Sequence, residues 1–365
     1  MSMPRLSIGD ISVPVPIIQG GMGVGISLSG LASAVANAGG IGVIATADIG
    51  WDEPDFKKNF REANKRALRR HIREARSRTK GVLGVNIMVA LQDYEDVVKT
   101  SVEEGIDLII SGAGLPLALP KLVEGGKATK LVPIVSSGRA AQIICKKWQR
   151  LNRLPDAVVV EGPLAGGHLG FKPEQIDDPS HTLERLIPEV IEAVRPFEDA
   201  AGRPIPVIAA GGIYTGADIC AFLRMGAAGV QMGTRFVATH ECDAAPEFKQ
   251  AYLDSKESDM QLIKSPVGLP GRAIRNVFLD EVEQGLRRPK ACVYRCVHGC
   301  DFHTAPFCIS KALIDAKKGD ARGGLIFSGY NAYRLDKIVS VAELMSELAR
   351  EYDEACGDAC SSMAG

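Results

Sequence analysis

The chain has 365 residues, 46% of them hydrophobic, which is enough apolar material for a large domain with a sizeable core. With 43 Lys and Arg against 44 Asp and Glu, the net charge of −1 gives no reason to expect a nucleic-acid or membrane partner. The N-terminus carries no apolar signal region and no later run is long enough to span a bilayer, so the sequence predicts a cytoplasmic protein with a small-molecule substrate.

Two glycine-containing turns predict a phosphate site. Apolar runs at Val207–Ala210 and Gly229–Met232 are followed by Gly211-Gly212 and Gly233-Thr234, and Gly216–Met225 between them fits a short helix. Glycines after neighbouring parallel strands let backbone amides approach an anion without an intervening Cβ. We therefore expect both turns to hold the phosphate of a cofactor or substrate, the alternative being that the glycines only mark turns.

Six further apolar runs precede this pair, and most are followed by a helix. They occupy residues 13–18, 41–45, 82–86, 107–110, 131–135 and 157–160. Runs rich in Val, Ile and Ala without polar alternation are typical of parallel strands buried on both faces. The eight strands predict an α/β fold, a (β/α)8 TIM barrel. A doubly wound open sheet is the alternative, although its Gly-x-Gly-x-x-Gly fingerprint is absent after the first strand.

The pattern changes after the eighth strand. Residues 240–306 contain helical fragments, the turn-rich Ser265–Arg272 and a run of cysteines, with no strand period. We interpret this segment as an inserted lid domain over the loop face of the barrel. The barrel itself is predicted over residues 1–239 and 307–365, with a closing helix over Asp336–Glu351.

His168 is the strongest candidate for a catalytic group. It lies in a glycine-rich loop after the sixth strand, and barrel active sites lie at the C-terminal ends of strands. Gly167 beside it leaves room for a ligand, and a near-neutral pKa suits an imidazole to take a proton from a carbon acid. The alternative is a histidine that only hydrogen-bonds its own loop or a cofactor phosphate. Asn86 and Glu161 end strands at the barrel mouth, where an amide and a carboxylate can hydrogen-bond a heteroaromatic ring or a ribityl chain. The alternative is that both are polar residues that only cap loops.

A cluster of cysteines predicts a metal site. Cys292, Cys296, Cys300 and Cys308 fall within seventeen residues, and four thiolates so close can bind one [4Fe–4S] cluster or one zinc ion. Structural zinc more often uses two separated pairs, so the spacing favours iron–sulfur, with zinc or free thiols as alternatives. Cys356 and Cys360 are expected to be ordinary thiols, and Cys145, Cys220 and Cys242 to be packing residues rather than metal ligands.

Four motifs together resemble the nitronate monooxygenase (2-nitropropane dioxygenase) family of FMN-dependent barrels. They are Pro16–Gly23, Gly166–His168, Ala210–Ile213 and Gln231–Phe236. Their order and spacing carry the resemblance, which covers nearly the whole chain. The cysteine run, with residues 263–268 and 333–338, looks most like the bifunctional fatty acyl-carrier-protein dehydrogenase/isomerase group of that family, which carries FMN and a [4Fe–4S] cluster.

The resemblance implies roles for the candidate residues. Gly21, Met22 and Gly23 would wrap FMN, Asn86 would meet its ring, and the two glycine turns would hold its phosphate. His168 matches the catalytic histidine of the family, and the four clustered cysteines match the ligands of the iron–sulfur cluster.

The expected reaction is dehydrogenation of a fatty acyl-carrier-protein, with His168 as base, followed by isomerisation of the double bond. Oxidation of alkyl nitronates by O2 needs no cluster and is the alternative; an enoyl-thioester reductase or another flavin oxidoreductase is a further one. Outside enzymes, the alternative is a flavin and iron–sulfur redox sensor without turnover. A charged helix predicted over Asp55–Arg78 is either a solvated face or the docking surface for the acidic acyl carrier protein, and a homodimer is left open.

Overall fold

The computed structural model describes residues 3–124 and 128–362. Within these ranges the β-strands are β1 Leu6–Ile8, β2 Ile11–Val13, β3 Ile17–Gln19, β4 Gly42–Ala45, β5 Leu83–Met88, β6 Leu108–Gly112, β7 Lys130–Val135, β8 Val158–Glu161, β9 Gly167–His168, β10 Val207–Ala210, β11 Gly229–Met232, β12 Met260–Lys264 and β13 Pro270–Ile274. The α-helices are α1 Ser29–Asn37, α2 Phe60–Arg78, α3 Tyr94–Glu103, α4 Leu119–Leu122, α5 Gly138–Gln149, α6 Pro173–Ile176, α7 Leu183–Ala201, α8 Gly216–Arg224, α9 Thr234–Val237, α10 Pro246–Leu253, α11 Val277–Glu283, α12 Ile309–Lys317 and α13 Val341–Ser362.

Eight parallel strands form one sheet in the order β3-β11-β10-β8-β7-β6-β5-β4. Its two ends meet where Ile18 and Ile41 form a parallel bridge, so the sheet curls into a nearly closed barrel. These are the eight strands predicted from the apolar runs, and the α/β fold of TIM-barrel type is confirmed.

The strands are buried because both of their faces are covered. Within β8, Val159 belongs with Ile18 and Ile110 to one apolar cluster, whereas Val158 and Val160 belong to a larger cluster that includes residues of the surrounding helices. Since successive side chains of a strand point to opposite faces, the first cluster fills the barrel and the second packs its outer wall. Leu6 and Ile8, from the β1–β2 hairpin, complete the inner cluster.

The segment 240–306 contains two strands, so the prediction that it lacks a strand period is wrong. β12 and β13 form an antiparallel hairpin, and β13 also pairs with β9, with Gly271 opposite His168. Gln261 and Lys264 interrupt the apolar residues of β12, and β13 begins with Pro270, Gly271 and Arg272, which hides the alternation expected of a half-buried hairpin. The boundaries of a lid domain stay a prediction.

The chain ends in a long helix that closes the barrel. α13 was predicted over Asp336–Glu351 but begins at Val341 and packs against α8 and α1. A disulfide bond joins Cys220 of α8 to Cys356 of α13, with the two Cα atoms 6.1 Å apart. The prediction that Cys356 is an ordinary thiol is therefore wrong, whereas Cys220 is buried in the core as expected of a packing residue but also forms the disulfide. A pairing across 136 residues leaves no local signal in the sequence. Cys145 and Cys242 are buried thiols as predicted, and the side chain of Cys360 lies outside the described residues.

Over the described ranges, the chain forms no helix with the length and apolar character needed to cross a lipid bilayer.

Candidate functional site

A cavity of about 260 Å³ lies at the C-terminal ends of the barrel strands. The loops after β3, β4, β6, β8, β10 and β11 all contribute to its wall, together with Asn86 and Met88 at the end of β5. Every residue predicted to bind the cofactor or to act as base lines this one cavity: Gly21, Met22, Gly23, Asn86, Glu161, Gly167, His168, Gly211, Gly212, Gly233 and Thr234.

One side of the cavity is formed by bare backbone. Gly211 and Gly212 have φ angles of 92° and 87°, and a Cβ on Gly211 would lie 2.9 Å from the carbonyl oxygen of Gly162. The Asn331 side chain donates a 2.7 Å hydrogen bond to the carbonyl oxygen of Gly212 and holds the turn. A backbone cradle of this kind fits a phosphate, because no side chain blocks the approach of an anion.

A second loop extends the cradle and was not found from the sequence. Gly329 faces the start of α9, and a Cβ there would lie 2.5 Å from the hydroxyl oxygen of Thr234. A Cβ on Gly166 would likewise lie 2.5 Å from the backbone nitrogen of Gly329. Three chain segments thus meet here with the Thr234 hydroxyl between two of them and no larger side chain at either glycine. Ser328-Gly329 was not found because two small residues far downstream match no recognisable phosphate motif.

The loop Gly21–Gly23 forms the facing wall. A Cβ on Gly21 would overlap the side chain of Asn86, so the backbone lies flat against that amide. The amide of Met22 donates to the Ser27 hydroxyl at 2.9 Å, which holds the loop in place. This wall therefore presents backbone, the Met22 side chain and the Asn86 amide to the cavity, a surface that suits a planar heteroaromatic ring.

Two polar side chains lie in register at the barrel mouth. Ala210 pairs with Glu161 on one side and with Gln231 on the other. The side-chain oxygen of Gln231 is buried and has no hydrogen-bond partner among the described residues, which indicates that a bound molecule supplies the donor. Burial raises the pKa of Glu161 to about 8, so this carboxyl group is mostly protonated at neutral pH. The backbone cradle for a phosphate, the wall formed by Gly21–Gly23 and the unpaired oxygen of Gln231 together fit FMN.

His168 is held on the hairpin side of the cavity. Its Nε2 atom lies 2.7 Å from the Ser265 hydroxyl oxygen, and its ring lies edge-on to Phe327, with the centroids 5.0 Å apart. Burial lowers the pKa of His168 to about 4, so the imidazole is neutral at pH 7 and able to accept a proton. Ser265 was missed as a partner from the sequence because the contact spans 97 residues.

The wall around His168 is apolar. Ala47, Met88, Leu313 and Leu325 line the cavity and belong to the same apolar cluster as Phe327, which touches the imidazole. Such a wall suits a hydrocarbon chain.

The four clustered cysteines lie at a separate pocket of about 40 Å³. Cys292 is exposed and Cys296 is buried, and burial raises the pKa of the Cys296 thiol to about 12. Burial also raises the pKa of Cys308, and the nearby Cys292 and Cys300 add to the shift. In residues 3–124 and 128–362, no three His, Cys, Asp or Glu side chains are gathered closely enough to hold a metal ion. The fold brings the thiols to one pocket, and the iron–sulfur site stays a prediction.

Comparison with known proteins gives a consistent family match. The sequence profile described as nitronate monooxygenase matches residues 6–351. The (3aS,4S,5R,7aS)-5-hydroxy-7a-methyl-1-oxo-octahydro-1H-indene-4-carboxyl-CoA dehydrogenase of Mycobacterium tuberculosis is 29% identical over 371 residues, 93% of each chain. A probable nitronate monooxygenase of Staphylococcus aureus is 29% identical over 75% of this chain and 79% of the relative. The structure of FabK from Thermotoga maritima is similar with a TM-score of 0.75 at 28% identity, covering 96% of both chains.

Proposed function

Because the chain belongs to the nitronate monooxygenase family, we propose that it is an FMN-dependent dehydrogenase of acyl thioesters. The observation that carries the proposal is the position of His168, a neutral and half-buried imidazole at the apolar wall of a cavity that fits FMN. A base in that place can remove the weakly acidic proton next to a thioester carbonyl.

Different residues of the cavity would bind different parts of the cofactor. The two glycine turns, Gly211-Gly212 and Gly233-Thr234, would hold the phosphate, whereas Gly21–Gly23 and Asn86 would hold the ring. Gln231 would accept a hydrogen bond from the ring, and the protonated Glu161 would donate one. FMN, when bound, would supply the acceptor for the hydride that leaves the carbon next to the deprotonated one.

His168 would do the proton chemistry. In the dehydrogenation it takes the proton from the carbon next to the thioester carbonyl. In an isomerisation, the same imidazole would take a proton from the carbon beyond the new double bond and return it to the carbon next to the thioester carbonyl, so that the double bond moves one position along the chain. The dehydrogenation needs the base at one carbon, and the isomerisation needs the same base within reach of that carbon and of the one two positions further along.

The thioester is favoured by the M. tuberculosis relative, whose name is that of a carboxyl-CoA dehydrogenase, and by the apolar wall beside His168. We propose a fatty acyl chain on acyl carrier protein as the substrate, with a coenzyme A thioester as the variant of the same chemistry. Nitronate oxidation is the second candidate, and the name of the S. aureus relative favours it.

We also propose that the four clustered cysteines bind a [4Fe–4S] cluster, with zinc as the alternative. Support comes from the donor set, since four thiols line one pocket, and thiolates are the usual ligands of both. Iron, acid-labile sulfide and zinc contents of the anaerobically purified protein decide between them. Stoichiometric zinc without sulfide would replace the cluster, and the absence of both metals would leave four thiols.

Docking of acyl carrier protein on residues 55–78 is the least supported part of the proposal. Arginine side chains of α2 form ion pairs with acids of the same chain, such as Arg69 with Glu103 and Arg73 with Glu104, both at 2.7 Å. Replacing these arginines would therefore disturb the fold as well as a docking surface. Lys57 and Lys58 are exposed, and a Lys57→Glu/Lys58→Glu variant tests docking more cleanly. KM should rise for a carrier-bound substrate and stay constant for a small thioester; equal changes in both would contradict docking at the start of the 55–78 segment.

The experiment that tests the function is anaerobic mixing of the flavin-loaded protein with a medium-chain acyl carrier protein, the matching acyl coenzyme A or an alkyl nitronate. Bleaching of the flavin by a saturated thioester, with an enoyl product, is the expected result. His168→Ala should keep the flavin and lose about 100-fold or more in rate. Bleaching by the nitronate alone would make the second candidate the function, and no bleaching by any substrate would favour a redox sensor.

A further inference from the structure

His168, the base of the proposed reaction, contacts Ser265 in the turn of the β12–β13 hairpin. Ser265 follows β12, is 3% exposed, and lies with its hydroxyl oxygen 2.7 Å from Nε2 of His168. The backbone amide of Val267 donates to the same oxygen at 3.3 Å. A hydroxyl oxygen has two lone pairs, so it can accept from this amide and from an imidazole N–H at the same time.

The contact is rigid because both of its ends belong to one small sheet. The turn that carries Ser265 is closed by a hydrogen bond from the amide of Gly268 to the Ser265 carbonyl oxygen, at 3.0 Å. β13, which leaves this turn, pairs with β9 so that Gly271 lies opposite His168. The amide of Leu169 also donates to the carbonyl oxygen of Pro270 at 2.8 Å. The positions of Ser265 and His168 are therefore fixed relative to each other by the small sheet, which requires both the barrel loop and the hairpin.

The contact decides which ring nitrogen is left for the substrate. Nε2 is occupied by Ser265, so Nδ1 is the nitrogen that remains. An imidazole that accepts a proton at Nδ1 must carry its resting proton on Nε2, where Ser265 receives it. A neutral hydroxyl also suits this task better than a carboxylate, which would favour the charged imidazolium and remove the base at neutral pH.

We propose that Ser265 is a positioning residue that accepts the Nε2 proton of His168 and thereby presents an unprotonated Nδ1 to the substrate. This rests on the proposed role of His168 as the base.

The proposal is tested with Ser265→Ala, and Ser101→Ala is the matched control. Ser101 is also buried, and its hydroxyl donates to the backbone oxygen of Val97 on α3, in a contact that does not involve His168. Ser265→Ala should lower kcat for the thioester about 10- to 100-fold with KM changed less than about two-fold, because ring orientation and not substrate binding is lost. Ser265→Thr, which keeps the hydroxyl, should recover most of the rate. Unchanged kcat in Ser265→Ala, or an equal loss in Ser101→Ala, would overturn the proposal.

A measurement without substrate separates this proposal from the proposed function. Nitrogen NMR of the histidine-labelled, flavin-loaded protein reports which ring nitrogen of His168 carries the proton, with His168→Gln used to assign the signal. The wild type should show the proton on Nε2, and Ser265→Ala should show a mixture of both forms. A proton on Nδ1 in the wild type would overturn the role of Ser265, whether or not any thioester is turned over. If the protein does not turn over any thioester but His168 carries its proton on Nε2, the proposed reaction is rejected and the role of Ser265 stands.

Discussion

The carboxylate of Asp243 accepts a 2.7 Å hydrogen bond from the backbone amide of Leu28, 215 residues earlier in the chain. It also accepts from the amides of Gly30 and Leu31 at 3.1 Å each, so one side chain binds three of the amides left unpaired at the start of α1. The loop that contains Gly21–Gly23 forms one wall of the cavity, and α1 follows it. The carboxylate of Asp243 therefore fixes the point at which the chain leaves this wall.

Asp243→Ala is expected to lower the free energy of unfolding by about 2 kcal/mol, because the start of α1 loses its acceptor. Urea unfolding of the flavin-free protein measures the effect. Asp254→Ala serves as the control, since its carboxylate accepts an exposed hydrogen bond from Gln250 and should be worth less than about 0.5 kcal/mol. Equal stability of the two variants would contradict the capping role.

Gly211→Ala is expected to weaken FMN binding about ten-fold or more, because a Cβ there would collide with the carbonyl oxygen of Gly162 and push the turn into the cradle. Fluorescence titration of the flavin-free protein gives the affinity. Gly202→Ala is matched to it, since Gly202 also has a positive φ, 61°, but open space around its Cβ position. This control should lose stability and keep its affinity for flavin, and a similar loss of affinity in both variants would argue against the cradle.

Glu161 should make the flavin-free protein less stable as the pH rises from about 4.5 to about 8. Its pKa is raised from 4.5 to about 8 by burial, so in this window the folded protein binds a proton that the unfolded chain has released. Glu161→Gln removes the titrating group and should flatten this part of the stability curve. Urea unfolding at several pH values compares the two proteins, and parallel curves would show that Glu161 titrates normally.

Loss of the disulfide should lower the thermal stability of the protein. Cys220 and Cys356 close a loop of 136 residues, and a cross-link of this kind is worth about 2–4 kcal/mol. Cys356→Ser should melt several degrees below the oxidised wild type. Dithiothreitol should bring the wild type down to the melting temperature of the variant and leave the variant unchanged; a wild type insensitive to reductant would show that the bond is absent in solution.

The barrel could be predicted because its strands carry their own signal. Runs such as Val207–Ala210 are apolar on both faces, and the burial of all four residues explains why no polar alternation interrupts them. β12 is partly exposed and mixes Gln261 and Lys264 with its apolar residues, and β13 is mostly buried but begins with Pro270 and Gly271, so neither strand carries the same signal. Predictions of strands therefore succeeded for unbroken apolar runs and failed at the hairpin that adjoins His168.

The candidate site could be predicted wherever a residue ends a barrel strand or lies in the loop that follows it. His168, Glu161 and Gly211 were found this way, since parallel strands bring their C-terminal ends together. Ser265 and Asp243 could not be found, because each acts on a residue about 100 or more positions away and hydroxyls and carboxylates are common in any sequence. Contacts of that kind depend on the completed fold.

The pairing of β9 with β13 has a consequence for exchanging parts among related proteins. His168 is carried by the barrel, but the strand beside it and the hydroxyl at its Nε2 come from the hairpin. A chimera that receives only the segment 240–306 from a relative would pair the native His168 with a hairpin of different sequence. A shift of one residue in the pairing of β9 with β13 would then turn the imidazole to the opposite face of the small sheet. Successful exchange requires that the glycine-rich segment around His168 and the hairpin move together as one inherited unit.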